Sequence, residues 1–432
     1  MVIILRKSVK CHQVYPYNIR LVLAIFLLGL VSGLVGIFLH YLLEIIEKLV
    51  FGHSEHEVAF LTNGVSPLRM TIDLLLIGLV SALIWFVLQR KTKLLSIKGQ
   101  MKEDDQFLES KGRFIKQLLH SVWQIVVVGG GAPVGKEGAP REIGALLGRP
   151  IANYFGLTAS DRLFMIASGA GAGLAAVYQV PLTSVFFVFE TLGLVFSIKR
   201  FVLLGMATYV AAFTARLVIS SKPLYHVSAI SWSMHLVWVL PVVVVIITPV
   251  AYLFSCLTKK AINYRIKDQR IFFSLPLTFI FIAILANFLP HLLGNGRMMA
   301  QEILNGTSIR SAIILFILKS LLVFLTLWAG AYGGTLTPSF ALGICGGFVL
   351  AMVMGIEGNN AMMLLGAVCF LAVSLRAPLS ATGLVLAFSG QDLVSMPYLL
   401  VTALLAYRLS QALDLISLDR LMGRKLVKPE SR

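Results

Sequence analysis

The sequence predicts an all-α integral membrane protein, and three observations lead to this fold class. Of its 432 residues, 58% are hydrophobic and only 13% are charged, whereas about 25% of the residues in a soluble domain are charged. Apolar runs long enough to cross a bilayer recur along the chain from Leu21 onwards. The basic residues lie mainly between these runs, as membrane topology requires.

The net charge of +17 therefore reflects membrane topology and gives no reason to expect nucleic-acid binding. Lys and Arg cluster at 1–20, 90–116, 199–200, 259–270 and 408–432, whereas residues 51–68 contain none. This asymmetry predicts a multi-pass protein of the cell membrane with short N- and C-terminal tails, both in the cytoplasm. The segment before Leu21 lacks a small-residue cleavage site, so no cleaved signal peptide is expected.

The cysteines and histidines give no reason to expect a metal or any other cofactor. Cys11, Cys256, Cys345 and Cys369 show neither paired nor metal-like spacing, and the eight histidines form no HxxxH or HxxE pattern.

The apolar runs differ along the chain. The first two, 21–46 and 71–88, are long enough for membrane-spanning helices, but several later runs are short or are interrupted by glycine or proline. Broken helices at membrane depth are tolerated only where they are buried in protein or line a polar cavity. Such segments are typical of transporters, so we expect broken and tilted helices around a transport site.

The stretch 129–149 contains the candidate site. Glu137 lies between Gly135 and Gly138, and Pro140 follows, a residue that suits the first turn of a helix. A helix beginning near Gly138 would present unpaired N–H groups and a positive dipole end, which together form an anion site. The carboxylate of Glu137 could occupy such a site or swing away from it.

Similar sequence motifs occur in the two halves of the chain at a nearly constant offset. Gly169-Ala170 and Pro181-Leu182-Thr183 correspond to Gly366-Ala367 and Pro378-Leu379-Ser380, with 378 − 181 = 197. Pro140 corresponds to Pro338, with 338 − 140 = 198. The offsets predict one transmembrane transport domain over 1–432, built of two repeats at about 21–220 and 234–420. Their helix starts would converge on a single anion.

These residues resemble the CLC family of chloride channels and proton/chloride exchangers. Gly135-Lys136-Glu137-Gly138 with the proline that follows resembles the G-[KR]-E-G-P signature, and Gly333-Gly334-Thr335-Leu336-Thr337-Pro338 resembles the second pore motif, G-x-F-x-P. Val180-Pro181-Leu182-Thr183 and Leu375-Arg376-Ala377-Pro378-Leu379 match the two proline helix starts. The resemblance covers Leu21 to about Arg420. It implies an inverted repeat, a homodimer with one anion pathway in each subunit, and the short prokaryotic form without C-terminal regulatory domains.

The resemblance also implies roles for individual residues. Glu137 matches the gating glutamate, which lies in the anion path when ionised and leaves it when protonated or displaced by halide. Gly138, Ala139, Thr335 and Leu336 match the backbone N–H donors at the anion site, and Gly135 and Lys136 complete the first motif. The alternative for Glu137 is an ordinary helix cap.

Three departures from the family pattern concern the anion site. Ser96 stands near the usual G-S-G-I-P loop, and it either contacts the inner anion or is a plain loop serine. Leu336 replaces the usual Phe. Residues 413–415 lack the usual anion-contacting Tyr, and Asp414 there would repel chloride. We therefore expect Asp414 to point elsewhere, or the alignment to shift by a few residues.

A fourth departure concerns protons. In many exchangers two acidic residues close the helix after the first proline start, and the second relays internal protons. Glu190 matches the first, but Thr191 replaces the second and cannot carry a proton at neutral pH. Glu190, one residue earlier, or water could still provide a route, or Glu190 could be a structural carboxylate.

The sequence thus predicts transmembrane chloride transport without enzymatic activity, in exchange for protons and gated by Glu137. Its partners are chloride, protons and the lipid bilayer. A passive channel or an uncoupled carrier is the first alternative, and transport of fluoride or another small anion is a second. An intramembrane hydrolase using Ser168 with His120 or His40 is a different class, for which the sequence offers no acid partner and no glycine-serine elbow.

Overall fold

The computed structural model describes residues 15–54, 64–90, 93–102, 111–228, 230, 232, 234–356 and 360–426. The predicted cytoplasmic tails fall largely on residues 1–14 and 427–432, which lie outside the described residues. The helices are α1 (Tyr17–Phe51), α2 (Pro67–Arg90), α3 (Ile97–Lys102), α4 (Lys111–Gly129), α5 (Gly138–Tyr154), α6 (Ala159–Tyr178), α7 (Pro181–Leu192), α8 (Ile198–Ala215), α9 (Met234–Asn263), α10 (Ile271–Phe288), α11 (Arg297–Asn305), α12 (Ile309–Ala329), α13 (Leu336–Met354), α14 (Asn360–Leu375), α15 (Pro378–Ser389) and α16 (Met396–Leu426), with 3₁₀ turns at Pro290–Leu292 and Leu393–Ser395.

Eight of the described helices are long and apolar enough to cross a membrane: α1, α2, α8, α9, α10, α12, α13 and α16. Helix α13 is central, because 78% of its most apolar window is buried, compared with 28–44% in the other seven. The outer helices expose large apolar side chains such as Leu34, Phe213 and Val245, as lipid contact requires. The predicted all-α, multi-pass membrane class is confirmed.

The long apolar run around Pro181 folds as two helices. Helix α6 ends at Tyr178, Gln179 adopts a left-handed backbone conformation with φ 57°, and Pro181 begins α7. The same break recurs where α14 ends at Leu375, Arg376 has φ 56°, and Pro378 begins α15. A left-handed residue ends a helix and a proline begins the next, because proline needs no N–H partner in a first turn.

Glycines allow α5 to cross α6 at backbone contact. A Cβ on Gly144 would overlap the carbonyl oxygen of Gly169. In the same way, a Cβ on Gly343 of α13 would lie 2.6 Å from the carbonyl oxygen of Gly366 of α14. The spacing from one crossing to the other is 343 − 144 = 199 and 366 − 169 = 197. These recurring contacts support the predicted repeats at 21–220 and 234–420, which stay a prediction.

The loops before α5 and α13 join the two halves of the molecule. The N–H of Gly135 donates to the carbonyl of Gly334 at 2.7 Å, and the N–H of Gly334 donates to that of Gly135 at 2.8 Å. This antiparallel bridge brings the N-termini of α5 and α13 to one place, where the sequence predicted that two helix starts would converge.

Candidate anion pathway and its gate

Glu137 lies at the meeting point of the two helix starts. Its backbone is the N-cap of α5, but its buried carboxylate accepts hydrogen bonds from α13, with Oε1 bound by the N–H of Leu336 at 2.6 Å. Oε2 accepts from the hydroxyls of Thr337 at 3.3 Å and Tyr178 at 3.4 Å. The carboxylate thus occupies the positive end of α13, where an anion is stabilised by unpaired N–H groups and the helix dipole.

Two glycines make room for this carboxylate. A Cβ on Gly135 or on Gly334 would overlap the carboxyl group of Glu137. Any side chain at either position would therefore expel the carboxylate or separate the two loops. Glycine is therefore required at both positions, because the carboxyl group of Glu137 lies so close to the backbone there.

Two cavities flank Glu137. The Ser96 cavity, about 1110 Å³, is lined by Ser96, Gly138 and Gly334 among others. The Lys136 cavity, about 610 Å³, is lined by Lys136 and Tyr178 among others. Because Gly138 and Tyr178 both contact or adjoin Glu137, its carboxylate lies between the cavities.

The cavities open towards opposite ends of α1. Leu39 and Leu43, in the second half of α1, line the Lys136 cavity. The segment of Ser96 and α3 lies towards the other end of α1, because Arg20 donates to the carbonyl of Phe155 after α5 and Arg149 of α5 donates to that of Gln100 in α3. A path across the molecule would therefore pass through Glu137.

The Ser96 cavity is strongly basic. Its lining includes seven basic residues, namely Lys93, Lys98, Lys102, Arg141, Arg265, Lys267 and Arg376. The guanidinium of Arg141 lies 4.4 Å from the ring centroid of Phe187, and its Nε is buried without a hydrogen-bond partner among the described residues. Such a lining concentrates anions at the mouth of the path.

The other predicted anion-site residues lie around this centre. Leu336 is the backbone donor that binds Glu137, Gly138 lines the Ser96 cavity, and Ala139 and Thr335 lie at the starts of α5 and α13. Ser96 lines the cavity, and its hydroxyl also accepts from the N–H of Gly99 at 3.3 Å. Both interpretations of Ser96 are thus compatible with its position.

Glu190 and Thr191 have structural partners. The carboxylate of Glu190 accepts from the N–H groups of Leu379 at 2.9 Å and Ser380 at 2.8 Å, and from the Ser380 hydroxyl at 2.5 Å. It therefore caps α15, the second proline helix start. The Thr191 hydroxyl donates to the carbonyl of Phe187 at 2.6 Å. The sequence analysis left a structural role for Glu190 open, and its bonds favour that role.

Asp414 is not among the residues that line the Ser96 cavity, although its partner Arg376 is. Its carboxylate pairs with Arg376 at 2.7 Å and accepts from the hydroxyl of Tyr252 at 2.9 Å. The tyrosine of α16 that lines the Ser96 cavity is Tyr407, seven residues earlier and two helical turns away.

Sequence reasoning missed a polar cluster near Glu137. Glu142, on α5, accepts from Ser121 at 3.0 Å and from the amide of Gln124 at 2.8 Å, and its Oε2 lies 3.5 Å from Nε2 of His120. Glu142, Gln124 and His120 all line the Ser96 cavity. The available signal was the charged pair Arg141-Glu142, since the rest of residues 138–148 is apolar.

The residues of the hydrolase alternative do not meet. The Ser168 hydroxyl is buried without a hydrogen-bond partner among the described residues. His120 instead contacts Trp85 and Gln124, and His40 lies 3.5 Å from Glu44. No nucleophile–base pair of the predicted kind forms in the part of the chain that the structure describes.

Membrane-spanning helices, two cavities and a carboxylate between two helix starts define a transmembrane anion-transport protein. Comparison with known proteins agrees, since the sequence profile of the family described as "Voltage gated chloride channel" matches residues 77–411. The chain therefore belongs to the CLC family. Membership confirms the predicted family, the CLC-type fold and the predicted class of function, chloride transport across a membrane.

Similar proteins cover nearly the whole chain. The Escherichia coli protein named "Voltage-gated ClC-type chloride channel ClcB" is 26% identical over 425 residues, or 93% of this chain and 98% of the relative. Its Salmonella typhimurium counterpart is 24% identical over 405 residues, 90% and 95% of the two chains. The crystal structure of "a slow cyanobacterial Cl-/H+ antiporter" has a TM-score of 0.79 at 22% identity and covers 97% of this chain and 100% of that one. A "CLC-type fluoride/proton antiporter" has a TM-score of 0.64 at 19% identity, over 91% and 95% of the chains.

Proposed function

We propose that the protein exchanges chloride for protons across the cell membrane and that Glu137 is its gate. One observation carries this proposal: the carboxylate of Glu137 accepts the Leu336 N–H at 2.6 Å, at the N-terminus of α13 and between the two cavities. An anion that travels between the cavities has to displace this carboxylate.

The gate works by competition for one positive helix end. While ionised, Glu137 holds the place of an anion at α13. Chloride can displace it. A proton removes its charge, and with the charge its attraction to the N-terminus of α13. The hydroxyls of Tyr178 and Thr337, 2.9 Å apart, give Oε2 a hydrogen-bonded exit towards the Lys136 cavity, which Tyr178 lines.

The distribution of basic residues supports one orientation of the protein in the membrane. The seven basic residues of the Ser96 cavity favour the cytoplasmic side under the positive-inside rule, so both termini lie in the cytoplasm. As the resemblance to the CLC family implies, the protein forms a homodimer with one anion pathway in each subunit. Each subunit is built of two repeats, at about 21–220 and 234–420. It performs no enzymatic reaction.

Uncoupled chloride movement is a second candidate, favoured by the hydrogen bond of Thr191 to its own helix. Fluoride is a candidate substrate because one similar structure is titled a fluoride/proton antiporter. Both are decided by the experiment below.

Liposomes that contain the purified protein, with a chloride gradient and a smaller pH gradient that opposes the coupled proton movement, test the proposal. A chloride electrode and a pH-sensitive dye record both ions, and fluoride replaces chloride in a parallel series. Wild type is expected to move protons uphill as chloride flows downhill. Glu137→Gln is expected to keep or speed chloride movement and to lose proton movement, because a neutral amide neither competes with chloride nor carries a proton.

Asp268→Asn is the matched control, because this carboxylate lies in an exposed loop and pairs with Arg270. It is expected to behave as wild type. If Glu137→Gln still moved protons against their gradient, Glu137 would not be the gate. Chloride flux without any proton movement in wild type would establish the uncoupled candidate instead.

A further inference from the structure

The Ser96 cavity needs a proton acceptor if exchange occurs, and its lining offers two carboxylates. Of the described residues that line it, only Glu142 and Glu190 are acidic. Glu190 is held by three donors at the start of α15, so both of its oxygens are engaged in capping that helix. Thr191 lines the same cavity but has no proton to exchange at neutral pH. Glu142 is the remaining candidate.

Glu142 lies close to the gate. It follows Glu137 by five residues on the same helix, a rise of about 7.5 Å. The carboxamide of Gln124 lies between them: its Nε2 donates to Glu142 at 2.8 Å, and its Oε1 would be 2.5 Å from a Cβ on Gly138. Gly138 in turn is the neighbour of Glu137 in the chain. The Gln124 side chain thus reaches from Glu142 to the backbone position beside Glu137.

Glu142 also has access to solvent. Its side chain is 16% exposed, whereas that of His120 is 2% exposed. The Ser96 cavity has a volume of about 1110 Å³, and one water molecule in the liquid occupies about 30 Å³. Water can therefore reach this carboxylate from the open end of the cavity.

The neighbours of Glu142 hold its carboxylate in place. The indole N–H of Trp85 donates to Nδ1 of His120 at 3.3 Å, so the neutral ring presents its Nε2 towards Glu142. From α4, His120, Ser121 and Gln124 face the carboxylate. The cations that act on it are Arg141 of α5 and Arg265, which follows α9.

We propose that Glu142 accepts protons from the Ser96 cavity and passes them to Glu137. This role rests on the proposed exchange. A hydronium ion in the cavity gives its proton to the Glu142 carboxylate, leaving water and a carboxylic acid. The acid then releases the proton through water to the Glu137 carboxylate, so that Glu142 returns to its ionised form and Glu137 becomes neutral. Glu142 thus takes the place in the relay that Thr191 cannot fill.

The test uses the full-length protein in liposomes and records chloride and protons together. Glu142→Gln keeps the shape and one acceptor oxygen for the cluster but cannot ionise. We expect chloride flux within about twofold of wild type and proton flux at least about tenfold lower, the loss that removal of a proton-transfer group produces. Glu142→Asp retains an ionisable group and is expected to keep measurable coupling, with an altered dependence of proton flux on the pH of the Ser96-cavity side.

The outcomes separate this proposal from the exchange itself. If wild type couples the two ions and Glu142→Gln couples them at the same ratio, Glu142 has no role in proton transfer and only this inference fails. If Glu142→Gln loses chloride flux as well, the carboxylate is structural and the inference also fails. If that variant cannot be purified in folded form, an unchanged pH profile in Glu142→Asp overturns the proposal and a shifted profile supports it. A wild type that moves no protons overturns the exchange, and with it this role.

Discussion

Leu336 binds the proposed gate, Glu137, through its backbone. Its N–H binds Glu137 at 2.6 Å, while its side chain is buried. The replacement of the family's usual Phe by Leu therefore leaves the hydrogen bond intact and changes only the packing around it. A departure in a motif matters less where the motif supplies main-chain donors.

The charge of Arg141 should matter for anion capture. Arg141→Gln is expected to weaken the apparent chloride affinity by roughly three- to tenfold, because it removes one cation from the wall of the Ser96 cavity. Chloride flux measured against chloride concentration in liposomes checks this. The effect should shrink at high ionic strength, where salt screens the cavity charges.

Two controls accompany Arg141→Gln. Arg141→Lys keeps the charge and should retain most of the affinity, and Arg216→Gln removes an exposed cation after α8 that lines neither cavity. An equal loss of affinity in Arg216→Gln would show that the total charge, and not the cavity lining, sets anion capture.

At the scale of elements, the crossings of α5 with α6 and of α13 with α14 hold the site in place. Each crossing brings backbone to backbone at a glycine pair, Gly144 with Gly169 and Gly343 with Gly366. Close approach fixes the direction of α5 and α13, and thereby the point where their N-termini meet. The geometry around Glu137 therefore depends on contacts well inside the helices.

A methyl group at Gly144 should disrupt this arrangement. Gly144→Ala places a Cβ on the carbonyl oxygen of Gly169, and overpacking of this kind costs about 1–3 kcal/mol. Gly205→Ala is the matched control, since nothing lies within 4 Å of its added Cβ; it should be neutral or stabilising by up to about 1 kcal/mol. Thermal unfolding in detergent compares the two. Equal midpoints would mean that α5 and α6 can separate without cost.

At the scale of the whole molecule, the sequence predicted local features such as helix starts, but it did not predict most contacts between residues far apart in the chain. The helix starts at Gly138, Pro181 and Pro378 follow from glycine and proline chemistry within a few residues. The direction of the Glu137 carboxylate, towards α13, depends on a partner 199 residues away, and only the repeat indicated it.

Glu142 is a clearer example of a contact that the sequence alone does not predict. Its donors Ser121 and Gln124 come from α4, about 20 residues earlier, and no motif marks that pairing. Glu190 is similar, because the α15 N–H groups that it caps are 189 and 190 residues away. A charged residue in an apolar helix indicates that a partner exists, but the fold determines which one.

The orientation of the molecule gives the last prediction. If the basic Ser96 cavity faces the cytoplasm, Lys98→Cys, which lines it, should react with a membrane-impermeant maleimide only after cells are opened. Lys222→Cys, which lines the Lys136 cavity, should react on intact cells. The background replaces Cys11 and the exposed Cys256 by Ser and keeps Cys345 and Cys369, which are buried. Labelling of the Lys98 position on intact cells, with the Lys222 position protected, would reverse the orientation and place Glu142, the proposed proton acceptor, on the outer side of Glu137.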